Sequence, residues 1–425
     1  MKTILRIMLP LCLLAPAVAL AQTGPKIGQL VDYSGPTSDV GIPYGQGVAD
    51  ALAHINATSG IGGKPFTIET SDYSYQAPRA ISQYKKWSAG NGKVAAIQGW
   101  GTADTEALSG FVGKDEILFY SASYSGHLTD PTGASGRSKG TPYNFFYGAS
   151  YSDALRAMLM WAAEDWKAKG ASGKPKYVHM GANHPYPNAP KEAGEAMAKE
   201  LGFDVLPAVQ FSLTPGDYTA QCLTLKQAGV NYAFLGNTSG SNIAVMRSCE
   251  TVGAKVQFLG NVFGMDETAI KAAGSAADGV VFPLRTGVIW GDEAPGMETV
   301  KAVARTTDPS GATHRAVHYI AGICSAYYMK EAMDWAAANG GITGPNVRKG
   351  MYQKKDWVPA GLEGVCMPST WTDTDHRGTT TVPLLRAHVK GDTGAPLGEL
   401  VQNGVIRFEK VATIEVPRKP EWLGW

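Results

Sequence analysis

The sequence predicts an α/β protein built as two parallel-sheet lobes. Strand-like apolar runs alternate with amphipathic helix-like stretches from residue 26 onward, the pattern of βαβ units. That alternation ends one series near Tyr143 to Tyr147 and restarts at Ala149, so two sheets are expected. The length of 425 residues also fits two or three domains at about 100–200 residues each. With 44% hydrophobic and 18% charged residues the composition is globular, which excludes disorder, coiled coil and collagen. Thirty-seven acidic against 38 basic side chains give no positive field for a phosphate backbone, so nucleic acid is not an expected partner.

At the amino end, Lys2 and Arg6 precede an apolar run from Ile7 that closes on Ala19-Leu20-Ala21. This reads as a secretory signal peptide, residues 1–21, cleaved near Ala21. The run is too short to span a membrane. Cys12 lacks the small residue that precedes a lipidated cysteine, so a free, exported, periplasmic chain is expected.

Strands are expected at 26–33, 66–72, 94–100, 117–123, 176–181, 205–211, 232–236, 256–260 and 279–284. Helices are expected at 47–56, where Val48, Leu52 and Ile55 share a face, and at 154–169, 192–201 and 242–251. Ser150-Tyr151-Ser152-Asp153 and Thr214-Pro215-Gly216-Asp217 open helices. A long helix at 318–338 and strands at 382–389 and 405–416 are too few for a third lobe and should complete the first two. The expected division is 26–145 with 286–360 in one lobe and 146–285 with 361–425 in the other.

Export makes Cys222, Cys249, Cys324 and Cys366 candidates for two disulfides. Helices at 217–228 and 241–252 flank one short strand, which favours Cys222 with Cys249 and leaves Cys324 for Cys366. Four buried thiols are the alternative, because neither spacing forces a bridge.

Catalytic signatures are weak. There is no G-x-S-x-G elbow. Ser123, Ser125 and His127 crowd into one loop, whereas a triad draws its members from separate strands. His314 and His318 have helical spacing but no intervening Glu and no third ligand, and Asp373-x-Asp375 meets Arg377 where a calcium loop needs oxygen. Gly45-Gln46-Gly47 lacks the third glycine of a dinucleotide fingerprint, and Gly60-Ile61-Gly62-Gly63-Lys64 reads as a turn before a strand. Neither an enzyme, a cofactor nor a metal is expected.

Polar and aromatic residues do gather where the strands end. Tyr33 to Thr37, Trp100-Gly101-Thr102, Ser121 to Tyr124 and Asn237 to Ser239 each follow a strand, and such loops build the ligand crevice of open α/β sheets. Hydroxyls of Thr102 and Ser123, with helix N-terminal N–H groups, could hold a carboxylate without a cation.

Several segments carry a resemblance: Lys26-Ile-Gly-Gln-Leu-Val-Asp-Tyr-Ser-Gly-Pro, Gly41-Ile-Pro-Tyr-Gly-Gln-Gly-Val-Ala-Asp-Ala-Leu, Ile55-Asn with Gly60-Ile-Gly-Gly-Lys, and Phe119-Tyr-Ser-Ala-Ser-Tyr. In their order and spacing they resemble the leucine/isoleucine/valine-type periplasmic binding proteins of ABC importers. The resemblance implies a type I binding fold, two Rossmann-like lobes joined by three crossovers that close on a ligand. It puts carboxylate-binding groups on Trp100, Gly101, Thr102, Ala122 and Ser123, and a second-lobe tyrosine at Tyr186.

Where the family's amino-acid binders place an acid, this chain reads Gly260-Asn261-Val262-Phe263-Gly264. Asp266 either supplies the missing charge or caps the next helix. Tyr33, Trp100, Tyr124, Tyr186 and Phe263 would line the cleft, with Asn237 and Asn261 among the binding loops. An unpaired buried ammonium is costly, so the expectation is a small carboxylate with an aromatic or apolar body, such as a benzoate- or phenylpropanoid-like acid. The alternatives are a branched-chain or aromatic amino acid, or a sensor subunit for a chemoreceptor. Permease and ATPase subunits are the expected partners of a monomeric protein.

Overall fold

Two parallel sheets stand side by side in the computed structural model, which describes residues 24–425. The expected signal peptide, with Cys12, lies outside the described residues. The first sheet contains β1 (Lys26–Val31), β2 (Thr67–Asp72), β3 (Ala96–Gln98), β4 (Leu118–Ser121) and β5 (Asn144–Phe146) in the order β2-β1-β3-β4-β5, all parallel. The second contains β6 (Lys176–Gly181), β7 (Asp204–Val205), β8 (Val209–Gln210), β9 (Tyr232–Leu235), β10 (Gln257–Gly260), β11 (Val281–Pro283), β12 (Thr381–Val389) and β13 (Ile406–Glu415). Its order is β13-β12-β11-β10-β9-β6-β7, with β8 also on β6. The strands are parallel through β11, and β12 and β13 then add an antiparallel edge.

The central strands are short and buried on both faces, because helices cover each side. The single strand expected at 205–211 is two, β7 and β8, interrupted at Pro207, which has no N–H to give to a ladder. The helix expected from residue 47 begins at Ser38 and runs Ser38–Thr58 despite Pro43. Its start is fixed upstream: the Asp32 carboxylate accepts hydrogen bonds from Gly35 N, Thr37 N and the Thr37 hydroxyl at 2.6, 2.9 and 2.6 Å.

This helix packs on the long helix Val317–Ala338 through glycines. A Cβ on Gly47 would sit 2.1 Å from the Tyr319 carbonyl oxygen, and one on Gly322 2.4 Å from that of Tyr44. Backbone therefore touches backbone, and Tyr319 donates its hydroxyl to Asp50 Oδ2 at 2.7 Å across the contact.

The chain crosses between the sheets three times, after β5, after β11 and before β12. Leu362, Val365, Cys366, Met367 and Trp371 pack into the core of the first lobe. A lobe division at residue 360 thus cuts through one packed core, and the last crossing falls between Trp371 and Thr381. Both disulfides form as expected, Cys222–Cys249 and Cys324–Cys366. The first joins helices Thr219–Ala228 and Ser239–Thr251 on either side of β9, and the second ties the helix Val317–Ala338 to the Thr286–Cys366 bridge at a crossover.

Candidate ligand-binding site

A cavity lies between the lobes, and each group of residues on its wall follows the carboxyl end of one strand. Thr37 comes after β1, Tyr75 after β2, Trp100, Gly101 and Thr102 after β3, Ala122 after β4 and Tyr151 after β5. From the second sheet come Tyr186 after β6, Thr238 after β9 and Phe263 after β10. Strand order reverses beside β1 in one sheet and beside β6 in the other, so both crevices open at switch points and face each other.

One wall is polar. Thr102 is the first residue of the helix Thr102–Asp115, and Gly101 in its cap position brings no side chain to satisfy the first-turn N–H groups. Those donors and the Thr102 hydroxyl offer an anion site. Behind them the Ser123 hydroxyl donates to Thr102 Oγ1 at 2.9 Å. Trp100 is oriented by a hydrogen bond from its Nε1 to Thr37 Oγ1 at 3.0 Å, and Thr37 is held in turn by Asp32.

The remaining walls are aromatic. Tyr75 has φ +56°, a left-handed conformation that non-glycine residues seldom adopt, and its ring reaches His184 of the other lobe at 5.2 Å between centroids. Burial pushes the phenols of Tyr75, Tyr151 and Tyr186 up from their ordinary value, so they stay neutral donors. Phe263 occupies the centre: it stands edge-on to Trp100 at 5.1 Å and lies parallel to Tyr124 at 5.4 Å. The space left for the centre of a water-sized body is only about 10 Å³, room for roughly one water.

The structure thus brings Trp100, Gly101, Thr102, Ala122, Tyr186 and Phe263 onto one wall set. Five candidates stand off it. Ser123 is screened by Thr102, and the Tyr33 ring covers Gly45 outside the cavity. Asn237 Oδ1 accepts from Ala182 N and its Nδ2 donates to Ser212 O, both at 2.8 Å, so it braces loops. Asn261 accepts from the Tyr186 hydroxyl at 2.6 Å and from Phe263 N at 2.8 Å, and so positions two wall residues without facing the cavity. Tyr124 contributes its ring through the stack on Phe263.

Thr37 and Thr238 lie in loops expected to build the crevice without being singled out as ligand residues, whereas Tyr75 and Tyr151 were not expected there, although each follows a strand as the others do. Asp266 caps the helix Glu267–Ala273, accepting from Ala269 N at 2.6 Å, while its other oxygen lies 3.0 Å from His318 Nε2. Burial opposes its charge, but His318 and the helix N–H groups outweigh burial and hold its carboxyl below the usual range. The Ser125 hydroxyl donates to Glu106, which His127 also faces, so this serine loop holds no Ser–His pair.

Two parallel-sheet lobes, three crossovers and a cleft lined from strand ends of both lobes define a solute-binding protein of the two-lobed class. The chain belongs to the periplasmic binding protein family, whose profile matches residues 24–393, and these are binding proteins rather than enzymes.

It is 24% identical over 249 residues to a Leu/Ile/Val-binding protein homolog of Brucella abortus, and spans 58% of the length of that curated relative and 58% of its own. Its fold is similar to that of a branched-chain amino acid ABC transporter protein from Thermus thermophilus with bound valine, with TM-score 0.79, 21% identity and coverage of 95% and 98% of the two chains. It is also similar to a substrate-binding protein from Aeropyrum pernix, with TM-score 0.76, 23% identity and 94% and 97% coverage. A fatty acid ABC transporter substrate-binding protein from Thermomonospora curvata gives TM-score 0.75 at 16% identity, covering 93% of each chain. These likenesses establish the type I fold.

Proposed function

We propose that this chain is the exported, periplasmic binding component of an ABC importer, and that it delivers a small carboxylate with an aromatic or apolar body to permease and ATPase subunits. The wall of the cavity carries the reading: N–H groups and hydroxyls at one pole, rings elsewhere, and no carboxylate among its lining residues. An anion finds donors there. An ammonium finds rings, hydroxyls and neutral phenols but no carboxylate, so its desolvation is only partly offset.

An amino-acid ligand has one observation in its favour. Asp39 lies at the cleft mouth, where its Oδ2 accepts from Gly240 N of the other lobe at 2.6 Å, two residues from the lining Thr238. Opening the cleft would free that carboxylate.

Titration of tryptophan fluorescence or melting temperature with benzoate, 3-phenylpropanoate, leucine, valine and phenylalanine separates the two. The aromatic acids are expected to bind tighter than every amino acid, since a ring gains about 25 cal/mol per Å² of apolar surface buried. Tighter binding of leucine would overturn the reading.

A further inference from the structure

Behind the Phe263 ring lies a polar group that the carboxylate reading does not use. Arg285 follows β11 at the start of the second crossover, and its side chain is only 1% exposed. No carboxylate of the described residues pairs with it. Its Nη2 is hydrogen-bonded to His318 Nδ1, while Nη1 is buried without a partner. The guanidinium sits 4.2 Å from the Phe263 ring centre and 5.5 Å from that of Tyr124.

The imidazole beside it stands between Arg285 and Asp266. A guanidinium N–H only donates, so Nδ1 of His318 is the acceptor, while its Nε2 lies 3.0 Å from Asp266 Oδ2. Arginine keeps its charge in proteins, and Arg285 reaches Asp266 only across this ring. The hydroxyls of Tyr124 and Tyr44 are also buried: Tyr124 faces the guanidinium, and Tyr44 faces Tyr124 and Ser325, none at full hydrogen-bond geometry. A buried charge without a counter-ion costs several kcal/mol, and contact with the face of Phe263 offsets only part of that.

We propose that Arg285, Tyr124 and Tyr44 form a second pole of the binding site, which takes a second carboxylate at the far end of a flat ligand, so that the ligand class is an aromatic dicarboxylate. The proposal rests on the carboxylate reading of the Thr102 pole. Phe263 belongs to the second lobe and the rings of Tyr44 and Tyr124 to the first, so opening the cleft withdraws Phe263 and lets a ligand ring take its place on Tyr124. The second carboxylate then gains Nη1 and two phenols as donors.

The test measures affinities of the full chain for benzene-1,4-dicarboxylate and for 4-methylbenzoate, an isosteric mono-acid. The diacid is expected to bind about tenfold tighter or more, the effect of one charge-assisted hydrogen bond. Arg285→Met should abolish that preference, read as the ratio of diacid to mono-acid affinity within the variant. Should Arg285→Met fold poorly, Tyr124→Phe keeps the ring stack, removes one donor and should narrow the same ratio. Equal affinities for the two acids in the unaltered chain, or equal losses in the variants, would assign Arg285 a purely structural role. If leucine binds and neither acid does, the Thr102-pole reading fails as well, an outcome distinct from loss of the diacid preference alone.

Discussion

Phe263 of the second lobe lies parallel to Tyr124 of the first, with ring planes 4° apart and centroids 5.4 Å apart, and this stack closes the cleft. Trp100 and Tyr44 meet the edge of the same ring at 5.1 and 6.4 Å. Few other side chains couple the lobes so directly. Asp39 with Gly240 and Tyr75 with His184 are the comparable links at the mouth.

The first prediction concerns that closure. Phe263→Ala removes the ring on which the first lobe rests, and the open form should gain population because its competitor has lost contact. Small-angle scattering should show a larger radius of gyration for the variant than for the unaltered protein. Saturating ligand should contract the unaltered protein. An identical radius in both proteins, with and without ligand, would mean that the cleft does not move.

The second prediction separates two hydroxyls that the sequence treats alike. Thr102 faces the cavity, whereas Ser123 reaches it only by donating to Thr102 Oγ1. Thr102→Ala should weaken carboxylate binding by about 10- to 100-fold, the effect of a hydrogen bond to a charged group. Ser123→Ala should cost less than about tenfold, and the double variant should lose little more than Thr102→Ala alone, because both act through one oxygen. Calorimetric titration of the three variants decides the order, and a larger loss in Ser123→Ala would place that serine on the ligand.

Much of the architecture was legible because short apolar runs ended in polar or aromatic residues, as at Trp100-Gly101-Thr102 and Ala122-Ser123. Those runs became β3 and β4, and their ends became the wall. Tyr75 escaped notice although its strand was expected at 66–72, because it lies three residues past the strand end in a left-handed turn with no glycine to announce it. Tyr151 was legible as a helix opening, not as a cleft residue. Arg285 was hidden for another reason: arginine is mostly exposed, so nothing local signals one buried by two chain crossings. The Tyr124–Phe263 stack depends on how two lobes approach, which no local pattern encodes.

The third prediction is a pH dependence of stability. Burial lowers the His179 imidazole to about 3 and that of His376 to about 4. His376 is held neutral, Nδ1 donating to Asn144 O and Nε2 accepting from the Tyr352 hydroxyl, each at 2.8 Å. The unfolded chain takes up both protons near 6.5, so this stability is present above that pH and is lost as pH falls through 6.5 toward 4 and 3.

Asp104 works the other way. Burial raises its carboxyl to about 7, so its contribution is full below 3.8 and is lost as pH rises to 7. Two histidines against one acid leave about one proton's slope between pH 4 and 6.5, roughly 1.4 kcal/mol per unit in favour of higher pH. The melting temperature should climb from pH 4.5 to 6.5, and His376→Gln should flatten the climb. A melting temperature that falls over this range would contradict the sign.

The last prediction sets the two disulfides apart by position. They close 27- and 42-residue separations, so chain entropy gives them similar weights, about 3.5 and 4 kcal/mol. Their surroundings differ. Cys222–Cys249 joins two helices inside the second lobe and touches neither the cleft nor a crossover. Cys324 lies on the helix whose Gly322 meets the Tyr44 backbone, and Cys366 pairs in the bridge with Thr286, next to Arg285. Loss of this second bond loosens the second crossover where it enters the first lobe. Paired alanine substitutions at either site should lower the melting temperature by comparable amounts. Only Cys324→Ala with Cys366→Ala should also weaken ligand binding and broaden the scattering difference between open and closed forms, because a crossover transmits closure and a helix pair remote from it does not. Equal effects of both pairs on affinity would show that closure is governed by the stability of the lobes, not by the crossover near Arg285.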